Sequence, residues 1–267
     1  MNKIGFIGTG NMGTAIIKGI AGSSSAADSE IYAFDIDTSK LEALSEYGVK
    51  PCSSIAEAVS ASDYVFLAVK PQMMEQILGE VKPAMSADKV IISIAAGIDD
   101  AYISSKTVDN AKVILVMPNT PLLLGEGASA LSRSESVSDD EFNTVINIFS
   151  SCGKAAVIPK DKMKEIIAIN GSSPAFIYLF AKGFIDYAAK ENIDAKTAET
   201  LFAQSLIGSA KMITDSGYTI DELIKMVSSP GGTTLAGLDR LYEGKLTETV
   251  NNACESCTKR AYELSLK

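Results

Sequence analysis

Residues 3–20 read KIGFIGTGNMGTAIIKGI, and the order of residue types within them decides the N-terminal fold. The apolar run from Lys3 to Gly8 has the length of a short strand, after which Met12, Ile16, Ile17 and Ile20 recur at helical spacing. Between them lies Gly8-Thr9-Gly10-Asn11-Met12-Gly13. A Gly-x-Gly-x-x-Gly pattern is weak alone, but between a strand and a helix it marks a dinucleotide phosphate site. Gly8 permits the tight turn, Gly10 lets backbone amides approach a pyrophosphate, and Gly13 permits close packing of helix on strand. The phosphates then sit at a helix N-terminus, where unpaired N–H groups favour negative charge.

The same alternation continues outward. EIYAFDID (30–37) leads into TSKLEALSEYG, a helix capped by Thr38 or Ser39 and closed by Gly48. Further strands are read in YVFLAVKP (64–71), KVIISIAAG (89–97) and KVILVMPNTP (112–121), with helices in QMMEQILGEVKP (72–83) and near 99–107. Val- and Ile-rich strands alternating with helices predict a parallel sheet covered on both faces. EGASALSR (126–133) adds a strand, SDDEFNTVINIFSSCG (138–153) a capped helix, and AAVIP (155–159) a last strand. Beyond this point strand signals stop, and helices are expected near 162–190, 195–216, 219–227, 233–243 and 246–265. The expected organisation is an α/β Rossmann-type domain over 1–160, followed by an all-α domain over 161–267.

Composition narrows the chemistry. The 267 residues carry 24 basic and 33 acidic side chains, net charge −9, with no Lys/Arg run, which argues against nucleic acid and anionic membranes as partners. No signal peptide or spanning helix is read, so a cytoplasmic location is expected. Histidine is absent, which excludes Ser-His-Asp and Cys-His catalysis and any histidine-ligated metal. Cys52, Cys152, Cys254 and Cys257 include one Cys-x-x-Cys pair, read as two thiols one helical turn apart, and no metal site is expected. Cofactor chemistry or simple binding remains.

Asp35, at the end of the second strand, is placed to accept hydrogen bonds from an adenosine ribose. With Asp37 it would repel a 2′-phosphate, which tilts the reading of the cofactor from NADPH towards NADH. Further candidates follow the strands: Ala68, Val69, Lys70 and Pro71; Ala96 within Ala95 to Gly97; and Asn119 beside Thr120. Lys70 is read as facing ribose or phosphate, or only solvent, and Asn119 as orienting the nicotinamide side or simply making a turn.

A second donor-rich turn, SSPGGTT, spans Ser228 to Thr234 and feeds a helix whose apolar positions are Leu235, Leu238 and Leu241. Successive amides of Gly232, Thr233 and Thr234, with the hydroxyls of Ser229, Thr233 and Thr234, would bind a carboxylate or phosphate; the alternative is an ordinary capped turn. NGSSPAF (170–176) is expected to break a helix, for packing or for ligand contact.

Taken together, GFIGTGNMG (5–13), FLAVKP (66–71), SIAAG (93–97), MPNTP (117–121), GSSPAF (171–176), GSAKM (208–212) and SSPGGTT (228–234) resemble pyrroline-5-carboxylate reductase, in order and over nearly the whole chain. The resemblance implies a helical dimerisation domain with the active site at the subunit interface, and a homodimer unit that the family builds into larger rings. It implies hydride transfer from NADH or NADPH to the ring imine of 1-pyrroline-5-carboxylate, a small-molecule substrate, giving L-proline. It also implies that the SPGGTT turn holds the substrate carboxylate. Thr233 and Thr234 would supply amides and Ser229 or Thr234 a hydroxyl; Thr234, matching the threonine that bonds the imine nitrogen, is the catalytic candidate, as a binding residue more than an acid. Asp35 departs from the small polar residue common there. Two rival readings are a 3-hydroxyacid dehydrogenase using Lys164 and Asn170, whose glycine-rich substrate loops are missing, and a nucleotide-responsive regulator without turnover.

Overall fold

A computed structural model describes residues 2–23 and 29–265. The chain divides into two compact units, Met1–Pro174 with Ser256–Lys267, and Ala175–Glu255. The packing division thus falls after the boundary at 160 expected from the change of sequence pattern, and the end of the chain returns to the first unit.

The first unit begins with β1 (Asn2–Ile7), α1 (Asn11–Ala21), β2 (Ser29–Phe34), α2 (Thr38–Ala43), β3 (Lys50–Pro51), α3 (Ile55–Ser60) and β4 (Tyr64–Leu67). It continues through α4 (Met74–Val81), β5 (Val90–Ser93), α5 (Asp100–Lys106), β6 (Lys112–Met117), β7 (Gly127–Arg133), α6 (Asp139–Ser150) and β8 (Gly153–Val157). The eight strands form one sheet in the order β3-β2-β1-β4-β5-β6-β7-β8. Alternate residues on fully buried strands feed two cores. Phe6 and Phe66 stack at 4.6 Å and pack with Ile16, Ile20 and Phe149, from α1 and α6, on one face. Val65, Leu67, Ile91 and Val113 pack with Ile55, Leu78 and Ile103, from α3, α4 and α5, on the other.

Three features depart from the sequence reading. The elements β3 and α3 are additional; they span two and six residues, and Ser54 caps the helix by accepting from Glu57 N–H. Helix α2 is capped by Asp37, whose carboxylate accepts from Ser39 N–H, and not by Thr38 or Ser39. The sheet is not wholly parallel, because β7 runs antiparallel to β6. Only the short segment 118–126 joins these two strands, too little chain for a crossover, whereas α6 supplies the crossover that sets β8 parallel to β7.

The second unit holds α7 (Ser173–Lys190) from Ala175 onward, α8 (Ala195–Asp215), α9 (Ile220–Met226), α10 (Thr233–Glu243) and the first half of α11 (Leu246–Ser265). The expected helix over 162–190 is broken as NGSSP suggested: a π turn, Ile167–Gly171, precedes α7. Phe180, Phe184 and Phe202 cluster, with the last two stacked at 4.3 Å. Yet Ala188 is the one buried hydrophobic residue of this unit, while Tyr178, Leu179, Leu201 and Val227 lie exposed. A helical unit of this size with its apolar faces uncovered requires a partner surface. Among the described residues, no helix is long and apolar enough to cross a membrane.

Candidate active site

The glycine turn after β1 is locked by its surroundings. Gly8 has φ +95° and its N–H donates to Phe34 O at 2.9 Å; a Cβ there would meet Ala68 O at 2.7 Å. A Cβ on Gly13 would meet Gly8 O at 2.6 Å, so helix and turn touch through backbone. Gly10 differs: nothing lies within 4 Å of where its Cβ would stand. It is the N-cap of α1, which has neither a side-chain cap nor an acidic residue in its first turn. The first amides of α1, beginning at exposed Asn11 and half-buried Met12, thus have no side-chain acceptor, as a pyrophosphate site requires.

Asp35 is 8% exposed and is bonded to the turn itself. Its Oδ2 accepts from Thr9 N–H at 2.7 Å and Thr9 Oγ1 at 3.0 Å. Its Oδ1 accepts from Asp37 N–H at 3.0 Å and Lys40 Nζ at 3.4 Å. Burial pushes this carboxyl up, but the hydrogen bonds from Asp37 and Thr9 and the Lys40 ammonium outweigh it and hold the group below the usual carboxylate range. Four donors meet a carboxylate with about four lone-pair sites, so a ribose hydroxyl would have to displace one, the long and exposed Lys40 bond being the weakest. Sequence reasoning placed Asp35 but missed both its grip on Thr9 and Lys40, the cation standing between Asp35 and Asp37.

The other candidates lie where the strands end. Ala68 and Val69 are half-buried, Lys70 is exposed, and Pro71 opens a short 3-10 turn. Ala96 is half-buried beside Gly97, whose φ is +80°. Asn119 spends its Oδ1 on Ala128 N–H at 2.8 Å, which leaves its Nδ2 as the group it can offer. A cavity of about 400 Å³ borders this edge, lined by Ser93, Ala95, Gly97, Met117, Lys160 and Tyr262 among others. Lys164 also lines it and lies over the Tyr262 ring at 4.7 Å, whereas Asn170, the other residue of the rival dehydrogenase reading, is buried with its amide nitrogen spent on backbone carbonyls. Sequence reasoning gave Asn170 no role in the favoured reading; the one clue was an amide side chain within an otherwise apolar segment.

In the second unit, Ser229 to Gly232 form a β-turn closed by Gly232 N–H to Ser229 O at 3.0 Å, with Pro230 at its second position and Gly231 at φ +71°. The Gly232 amide, expected among the ligand donors, is thereby consumed. Gly232 is the N-cap of α10, which again lacks a side-chain cap and an acidic first turn. Thr233 and Thr234 occupy the first two helical positions, exposed, and the Ser229 Oγ lies where it would be 2.8 Å from a Cβ on Gly232. By contrast α6 and α9 close their N-termini with full capping boxes, Ser138 with Glu141 and Thr219 with Glu222. Among the described residues no group of acidic residues and cysteines is placed to hold a metal.

Residues 160–264 match the family model described as pyrroline-5-carboxylate reductase dimerisation, and residues 3–97 that of NADP oxidoreductase, coenzyme F420-dependent. The chain is 33% identical to pyrroline-5-carboxylate reductase of Escherichia coli strain K12, over 98% of each chain. It is 34% identical to that of Methanosarcina acetivorans, over 99% of this chain and 98% of the other. Among solved structures, the Plasmodium falciparum pyrroline carboxylate reductase with NADP bound superposes with a TM-score of 0.87 at 30% identity, over 99% of this chain and 98% of that one.

Proposed function

The chain belongs to the pyrroline-5-carboxylate reductase family, and from that premise we propose that it reduces 1-pyrroline-5-carboxylate to L-proline, the last step of proline biosynthesis, using NADH or NADPH. The observation that carries this reading is a pair of glycine-capped helix N-termini, one in each unit. At α1 and α10 the first amides have neither a side-chain cap nor an acidic residue in the first turn, which leaves both helix ends open to an anion.

The residues present fit a dinucleotide: open space at Gly10 admits the pyrophosphate to the amides of Asn11 and Met12. When bound, the reduced nicotinamide supplies the hydride that the imine carbon accepts. The chain's own work is binding and orientation. Thr233 and Thr234 offer amides to the substrate carboxylate, Ser229 or Thr234 offers a hydroxyl, and Thr234 Oγ1 bonds the imine nitrogen. A protonated imine is already an electrophile, so a site without histidine lacks nothing essential, and water completes the proton traffic. Ala68, Val69, Lys70, Pro71, Ala96 and Asn119 complete the cofactor's surroundings.

The finer assignments are ours as well. Asp35 and Asp37, offset by one Lys40, leave a net negative charge where a 2′-phosphate would lie, which supports a preference for NADH. The uncovered faces of the second unit support a homodimer, which we expect to assemble into a larger ring with a mass readable by light scattering. Four free thiols support a reducing, cytoplasmic location. The test is a steady-state assay with 1-pyrroline-5-carboxylate and each cofactor on wild type and Thr234→Ala. We expect proline formation by the wild type, and in the variant a fall of about tenfold or more in kcat/KM for the imine with cofactor affinity unchanged. Absence of proline formation with either cofactor would end the reading; equal loss of imine and cofactor binding in the variant would remove Thr234 from it.

A further inference from the structure

The antiparallel pairing of β6 with β7 stops at Met117 opposite Ala130. The next residue on the β6 side is Pro118, which has no N–H to give, so backbone alone cannot carry the ladder further. Two side-chain amides take over. Asn119 accepts from Ala128 N–H at 2.8 Å, and Asn170 Nδ2 donates to Met117 O at 2.6 Å and to Ala128 O at 3.1 Å. Asn170 belongs to the π turn Ile167–Gly171, which Ser172 N–H closes onto Ile167 O at 2.8 Å. Single π turns of this kind are frequent at functional sites.

Asn170 is 9% exposed, and its Oδ1 is buried without a partner. Leaving a buried acceptor unmade is unfavourable, so the position is kept for its other half: one planar nitrogen carrying two hydrogens, each aimed at a different strand-end carbonyl. Those two carbonyls flank the connection that begins Met117-Pro118-Asn119-Thr120-Pro121. Gly171, the next residue, approaches the same place; a Cβ on it would meet Met117 Sδ at 3.3 Å.

We propose that Asn170 is a positioning residue for hydride transfer: its amide clamps the ends of β6 and β7 and so holds the Met117–Pro121 loop, with Asn119, in register against the nicotinamide. This rests on the reductase reading above. Both Asn170 donors are spent on backbone carbonyls, so its loss degrades the geometry of transfer more than the binding of the imine.

The experiment uses the full-length enzyme with 1-pyrroline-5-carboxylate and either NADH or NADH deuterated at C4. Asn170→Ala removes both donors, and Asn170→Ser keeps one, so a measurement survives if the alanine variant does not fold. The expected result is a fall in kcat of about 10- to 100-fold for alanine, as for a misplacement near 1 Å, and a smaller fall for serine. KM for the imine should stay within about twofold, and the primary deuterium isotope effect on kcat should rise as transfer becomes slower than product release. A lowered melting temperature with kcat per folded site and isotope effect as in wild type would overturn the proposal and leave Asn170 a structural residue. A wild-type enzyme inert towards the imine would instead overturn the reductase reading beneath it.

Discussion

The Cα of Gly13 rests against the carbonyl of Gly8, so closely that a Cβ on Gly13 would stand 2.6 Å from that oxygen. Gly10, three residues away, faces nothing within 4 Å. The three glycines of one motif thus have separable jobs. Gly13→Ala should lose roughly 1–3 kcal/mol of stability as an overpacked site, and Gly8→Ala should suffer both the positive φ and the Ala68 carbonyl. Gly10→Ala should keep the wild-type melting temperature while weakening NADH binding about tenfold or more, roughly 1.4 kcal/mol. Calorimetric titration beside thermal unfolding checks this; a destabilised Gly10→Ala with normal affinity would refute it.

Asp35 combines two roles that substitution can separate. Asp35→Asn removes the charge and keeps an oxygen able to accept from Thr9, so the turn should persist while a 2′-phosphate becomes tolerable. The ratio of kcat/KM for NADPH over NADH should rise about tenfold or more, consistent with losing one like charge near the surface. Asp35→Ser should shift the same way but weaken both cofactors, because Thr9 loses its acceptor. Lys40→Ala should move the ratio towards NADH. An unchanged ratio in Asp35→Asn would dispose of the charge argument.

The same carboxylate links the turn to pH. The folded form of Asp35 has a lowered pKa, so it binds its proton less readily than the unfolded chain does. It therefore contributes stability above the unfolded value of about 3.9, and this is lost as pH falls through the lower folded value. Glu141 behaves alike: burial raises its pKa, but Lys112 at 2.6 Å and the Ser138 bonds lower it overall. Unfolding by urea between about pH 5 and pH 3 should show stability falling with acid, and the slope should be shallower in Asp35→Asn. A slope identical to wild type would contradict the linkage.

These relationships also show what a sequence displays and what it hides. Strands such as Tyr64–Leu67 and Val90–Ser93 are legible because burial on both faces makes them continuous apolar runs bounded by turns. Lys50–Pro51 is too short, and too close to a proline, to leave such a run. The direction of β7 is written not in its own residues but in the shortness of the connection before it. Asp35 was visible as a strand-end acid, yet its partner Thr9 is 26 positions away, and Asn170 reaches Met117 across 53. Hydrogen bonds of that range follow from the fold and leave no local pattern.

Packing between α1 and the turn that follows α6 offers a test of that fold without touching the site. A Cβ on Gly19 would fall inside the van der Waals shell of the Cys152 sulfur, and Cys152 is buried. Gly19→Ala should destabilise by roughly 1–3 kcal/mol despite alanine's better helix propensity. Cys152→Ala, which removes the sulfur, should recover most of that loss in the double variant, a coupling measurable by a double-mutant cycle in urea. Additive losses would mean that the two residues do not meet.

The second unit makes the strongest demand on assembly. Leu179 is 71% and Leu201 64% exposed, and Tyr178, Phe184 and Ile207 share their helices with large surface exposure. Burying a leucine contributes roughly 1.5–3 kcal/mol, so a partner covering these faces supplies a core that 175–255 does not build for itself. Asp at position 201 or 179 would place a charge in that shared core, where it is strongly disfavoured without a counterion. Leu201→Asp and Leu179→Asp should therefore shift the enzyme from dimer to monomer in sedimentation velocity, and proline formation should fall with the dimer fraction across a dilution series. NADH binding should survive in the monomer, because the glycine turn and its Asp35 anchor lie wholly in the first unit. Variants that stay dimeric and active would show that these helices are covered by some other surface than a second copy of the chain.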